Sequence, residues 1–206
     1  MTILKKKFIS VAIVFCIIMA SFFTFSQKAY ACGSYLTWSN DAKLINGVGS
    51  YGNHVRYYWI DSSASEYTSL ISQARYNWVN TSSILTTSIL IRQNSVQSSS
   101  VFDIYKRQEF ASSSTKLAIS YFYDTSNQNI GTPTYDYKWT EIVLNTSNFD
   151  ALSDFNKLGT ITHEFGHCMG LAHTTNRSRI MCKVGDGRYV NTPTYADLET
   201  INHIYG

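Results

Sequence analysis

The sequence is poor in proline, with only Pro133 and Pro193 among 206 residues. That excludes a collagen-like chain and a Pro-rich linker. Its four cysteines are too few for a disulfide-dense mini-protein, and a chain of this length can bury a core without many staples. Acidic residues are missing from the first 31 positions, which instead carry Lys5, Lys6, Lys7 and Lys28. Setting that segment aside reduces the 17 basic residues to 13 against 14 acidic, a net charge of −1. A strongly basic surface is therefore absent, and no nucleic-acid partner is expected. The 44% hydrophobic and 15% aromatic content excludes wholesale disorder.

The amino terminus has the layout of an export signal. Lys5 to Lys7 are followed by an apolar run from Phe8 to Phe25, then by Ala29-Tyr30-Ala31 as a small-residue cleavage site. Residues 1–31 are read as a secretory signal peptide, so a secreted, extracellular protein with no membrane span after cleavage is expected. Two alternatives stay open: an uncleaved anchor, and a lipoprotein acylated on Cys32. After cleavage Cys32, Cys168 and Cys182 remain, an odd number that leaves one thiol over.

Residues 32–53 are rich in Gly, Ser and Asn without a period and read as a flexible amino-terminal segment. Gly47 to Gly52 matches a G-x-G-x-x-G pattern, but no strand precedes it and no helix follows, so it is read as a loop. Residues 54–206 form one domain. A strand is expected over 54–60, with Val55, Tyr57 and Trp59 on its apolar face. Ser63 to Glu66 fits a capping box, and Tyr67, Leu70, Ile71, Ala74 and Trp78 follow at helical spacing. Strand-like runs cover 88–92, 101–105, 117–123 and 141–145. Leu158, Ile161, Phe165 and Met169 give a second helix, and Leu198, Ile201 and Ile204 give a third beginning near Thr194. The order implies an α+β domain with one mixed sheet.

The chemistry concentrates in His163-Glu164-Phe165-Gly166-His167, followed by Gly170 and His173. Two histidines four residues apart share one helix face and can reach one ion. Gly170 can take the left-handed conformation that ends a helix, so the chain can turn back and bring in His173. Three neutral imidazoles leave one position of a tetrahedral Zn2+ open, the layout of a catalytic site, and Glu164 is placed as general base toward a zinc-bound water. With only 5 histidines in the chain, coincidence explains this spacing poorly. His54 and His203 have no partner at ligand spacing. The reading is a zinc-dependent endopeptidase. Its competitor is a zinc-containing extracellular binding or adhesion module, which would not require Glu164.

This stretch resembles the zinc signature of the metzincin metallopeptidases. Ile180-Met181, eight residues after His173, and Thr174 directly after it are most similar to the matrixin branch. Asp197-Leu198 through Tyr205-Gly206 resembles the carboxy-terminal helix of matrixin catalytic domains. The resemblance implies a metzincin-like single domain with a mixed twisted sheet, one catalytic Zn2+, and a structural methionine turn at Met181. It also implies a protein or peptide substrate bound in extended form along an edge strand, assigned to 141–145. Ca2+ is implied by the resemblance alone, since no acidic cluster marks a site; a monomer is expected. Cys168 on the zinc helix and Cys182 beside Met181 are a candidate disulfide. Cys32-Gly33 resembles the two-residue core of the matrixin latency switch, while the plain reading is an amino-terminal tail with an ordinary thiol. The family's Pro-x-Tyr after the methionine is replaced by Cys182-Lys183-Val184-Gly185, so the specificity pocket does not follow by analogy.

Overall fold

A computed structural model describes residues 35–49, 55–111 and 113–206. The signal segment 1–31, Cys32, Gly33 and His54 lie outside the described residues. Five strands form one sheet: β1 (Arg56–Ile60), β2 (Ile91–Gln93), β3 (Phe102–Arg107), β4 (Ala118–Tyr123) and β5 (Trp139–Asn145). Their spatial order is β2-β1-β3-β5-β4. All neighbours run parallel except β4, which pairs antiparallel with β5 (Ser120 opposite Ile142). Four α-helices lie among the described residues: α1 (Thr68–Val79), α2 (Thr146–Asp150), α3 (Asp154–Cys168) and α4 (Tyr195–Tyr205). This is the α+β domain with a mixed sheet that the sequence pattern implies.

The helical periods become burial. Ile71, Ala74 and Trp78 of α1, Ile161 and Phe165 of α3, and Leu198, Ile201 and Ile204 of α4 all face one core. Phe165 sits at its centre, edge-on to Tyr58 (5.9 Å) and Phe102 (6.0 Å). The Trp78 indole donates to the Thr162 carbonyl at 2.9 Å, fixing α1 against α3. At the other end of the chain Thr194 and Asp197 form a capping box that starts α4.

Three expectations need correction. In β1 the core residue is Tyr58, 1% exposed, rather than its neighbours Tyr57 and Trp59. Phe165 of α3 packs on the Tyr58 face, and the β1 sequence is aromatic on both sides. Ser63 to Glu66 do not cap α1. They lie in a 3-10 turn (Ser62–Tyr67) whose cap is Asp61, accepting from the Ser63 N–H at 2.8 Å. Residues 35–49 are not a flexible lead-in. Ala42, Leu44 and Val48 are buried, Thr37 bridges to Leu171, and Leu44 bridges to Tyr137. Their Asn and Gly content serves positive φ at Asn40, Asn46 and Gly47, so the turns are specific rather than loose.

Gly166 lies between the two histidines of α3, and a Cβ there would collide with the Met181 sulfur and stand 3.1 Å from Trp78 Cζ2. Ala gains roughly 1 kcal/mol of helix propensity over Gly. Overpacking costs about 1–3 kcal/mol, and here it falls on two fully buried side chains. Gly166→Ala should therefore unfold at lower urea concentration than the unaltered protein; an unchanged or higher midpoint would show that Met181 can give way.

Candidate metal centre

Helix α3 starts at Ser153, whose hydroxyl accepts from the Asn156 N–H, and runs fifteen residues into the core. His163 and His167 leave it one turn apart, each 5% exposed. The helix ends because Gly170 adopts φ 97°, and the Tyr137 hydroxyl donates to the Cys168 carbonyl at 2.9 Å. The reversed chain carries His173 back across the cleft. Ligand nitrogens of His163, His167 and His173 all lie within 4.8 Å of one another. No other group of three or more His, Cys, Asp or Glu side chains gathers this way among the described residues.

The backbone sets the tautomers. His163 Nδ1 lies 2.8 Å from the Ile180 carbonyl, and His167 Nδ1 lies 2.7 Å from the Leu171 carbonyl. A carbonyl can only accept, so both Nδ1 atoms carry the proton and both Nε2 atoms present lone pairs. Burial pushes His167 down to about 3 and holds His163 well below the ordinary histidine value, so both rings are neutral. His173, more exposed, is lowered as well, again chiefly by burial. His167 Nε2 and His173 Nε2 face each other at 3.0 Å.

Met181 is buried, its sulfur against Gly166 between the two histidines of α3. The turn carrying it is fixed from α4. Buried Asp197 accepts from the Arg179 Nε at 3.0 Å and from the Ile180 N–H at 3.2 Å. Because the Ile180 carbonyl in turn orients His163, α4 reaches the histidine cluster through two hydrogen bonds.

Glu164 is 5% exposed, and its Oε2 accepts from the Ser120 hydroxyl of β4 at 2.7 Å. Burial raises its carboxyl to about 7, against the opposing pull of the Ser120 hydrogen bond and the positive Arg188. Trp38 stacks on His167 with ring centroids 5.1 Å apart, and its indole donates to the His167 carbonyl at 3.3 Å. All these groups line one cleft of about 760 Å³, walled by β4 on one side and residues 183–186 on the other.

Several site expectations need revision. The edge strand beside the cleft is β4, not 141–145, which lies in β5 between β3 and β4. At β4 the Leu117 and Tyr123 carbonyls accept from the β5 side, while the Phe122 carbonyl accepts from Ile130 on the other. By strand alternation Ala118 and Ser120 turn their N–H and C=O to the open edge. Cys168 and Cys182 are not bridged; both are buried free thiols. The Cys168 sulfur lies 3.7 Å from the Ser120 hydroxyl under the sheet, whereas that of Cys182 lies against the Lys183 carbonyl. The two thiols thus occupy different surroundings on either side of the helix end. His203 stacks on Tyr35 and meets Asp41 at 3.4 Å, away from the cluster. Trp38, Ser120 and Arg188 were not legible as site residues, because a lone Trp, a Ser in a Ser-rich strand and an isolated Arg carry no spacing signal.

The sequence model for "Matrixin" matches residues 64–206. No curated protein matches the chain. A solved structure titled "Structure of myroilysin" aligns at 18% identity and a TM-score of 0.37, covering 64% of this chain and 55% of that one.

Proposed function

The chain belongs to the matrixin family of zinc peptidases, and we propose that it is a secreted endopeptidase whose zinc is held by His163, His167 and His173 with Glu164 as general base. The observation that carries this reading is the convergence of three imidazoles on one point beside a buried carboxylate. The donor set fits the ion: neutral imidazoles suit Zn2+, and the two ring nitrogens 3.0 Å apart are close enough to share one cation. Three protein ligands leave one coordination position for reacting groups. When bound, zinc acidifies water and polarises the scissile carbonyl.

The chain's own groups supply the rest. Oε1 and Oε2 of Glu164 can take a proton from water and return it to the leaving amine, with Ser120 holding the carboxylate at one oxygen. The open edge of β4 offers Ala118 and Ser120 as backbone partners for an extended peptide. Residues 1–31 would export the protein; among the described residues no helix is long and apolar enough to cross a membrane. Digestion of an unstructured protein, with products identified by mass spectrometry, tests the endopeptidase reading. Internal bonds should be cut, and trimming from one terminus only would contradict it.

Ser120 acts through Glu164 and is a positioning residue. Ser120→Ala removes a charge-assisted hydrogen bond, and a loss of about tenfold in kcat is expected. KM and zinc content should not move, and Ser120→Thr should restore most of the rate. A rise in KM with kcat intact would place Ser120 in substrate binding instead.

A further inference from the structure

Arg188 is a buried cation in the cleft wall, 7% exposed. The chain reaches it through the 3-10 turn Val184–Asp186 and the left-handed Gly187. Its guanidinium then folds back between the start of α3 and the methionine turn. Nη1 makes long contacts to the Cys182 carbonyl (3.3 Å) and the Ile180 carbonyl (3.5 Å). A Cβ at Gly159 would stand only 2.7 Å from Nη2 and 3.2 Å from Cζ, so the guanidinium occupies space that a glycine leaves free. Nε and Nη2 have no hydrogen-bond partner among the described residues, and the next residue along the helix, Thr160, has a buried hydroxyl in the same condition. Arg188 also forms no ion pair among the described residues. The nearby carboxylate of Glu164 turns instead to Ser120.

Burying a guanidinium with two idle donors is unfavourable, and the deficit is removed when an anion brings acceptor oxygens to it. Arg188 and Thr160 both line the cleft, so an anion seated there meets them after a small shift of the guanidinium, whose Nε and Nη2 are closed to solvent in this structure. Lys183, also on the cleft wall, adds a second positive charge, opposed by Asp186 and Glu164. Desolvation lowers Arg188 only to about 10, which leaves it charged at neutral pH.

We propose that Arg188, with Thr160, selects substrates bearing an aspartate or glutamate side chain next to the scissile bond. The planar fork of the guanidinium matches a carboxylate and no neutral side chain as well. The inference rests on the peptidase reading above and adds a substrate class to it. The competing account is that Arg188 only braces the turn through its two carbonyl contacts.

The test is a set of peptides in one scaffold, with Glu, Gln, Asp, Asn or Leu on either side of the cleaved bond, cut by the zinc-loaded protein. The Glu peptide should exceed its Gln isostere by about tenfold or more in kcat/KM, as expected for a desolvated charge-assisted pair. Arg188→Met should bring that ratio to about one, and Arg188→Lys should retain part of it. A purely bracing arginine would lower all five peptides together and leave the ratio unchanged. The wild-type Glu-to-Gln ratio needs no variant, so misfolding of Arg188→Met does not shelter the inference. Equal rates for Glu and Gln in the unaltered protein overturn it and leave the peptidase reading standing. No cleavage of any peptide by the zinc-loaded protein overturns both.

Discussion

Replacing Glu164 by Gln should lower kcat/KM for peptide hydrolysis by about 10²–10⁴-fold, the range for loss of a positioned general base. The substitution keeps shape and volume, so a 5%-exposed site gains no cavity. Gln can still accept from the Ser120 hydroxyl through its amide oxygen. What it loses is the ability to take up a proton. Glu164 is not one of the three converging histidines, so zinc content should stay at one ion per chain. The comparison also separates the enzyme from a zinc-containing binding module, in which Glu164→Gln would change neither zinc content nor function. Rates within a factor of two of the unaltered protein would remove Glu164 from the chemistry.

The second large effect is expected at His167. It is the middle histidine of the cluster, fixed by the Leu171 carbonyl through Nδ1 and by Trp38 stacked on its face. His167→Ala leaves His163 and His173 as a two-nitrogen site. A ligand that binds only the folded state stabilises it by RT ln(1 + [L]/Kd), about 4 kcal/mol when the metal is present at a thousand times Kd. Zinc added to the stripped, unaltered protein should therefore raise its melting temperature. His167→Ala should show little rise at the same zinc concentration, and no measurable peptidase activity. An equal rise in both proteins would mean that the stabilising zinc sits elsewhere.

How much of this was readable from sequence differs by residue. Helices α3 and α4 announced themselves because a helix must repeat its apolar residues every three to four positions to bury one face. The histidine spacing was readable for the same reason, since i and i+4 share a face whatever the fold. Which strand borders the cleft was not, because a strand's place in a sheet depends on pairing with distant residues. Strands β4 and β5 both read as apolar runs, yet only β4 has a free side. Residues 35–49 concealed their order for a related reason. Their anchors, Trp38, Ala42, Leu44 and Val48, are spaced by turns rather than by a period. The unbridged cysteines show the limit of proximity arguments. Cys168 and Cys182 sit on neighbouring elements, but disulfide formation requires convergent side chains, and these two sulfurs meet different partners.

Peptide hydrolysis should depend on zinc held by His163, His167 and His173. The most direct test is to titrate Zn2+ into chelator-stripped protein while following cleavage of an internally quenched peptide. Activity should climb in proportion to zinc and level off at one equivalent per chain. Zinc taken up at one equivalent with no cleavage, or cleavage indifferent to zinc, would contradict it.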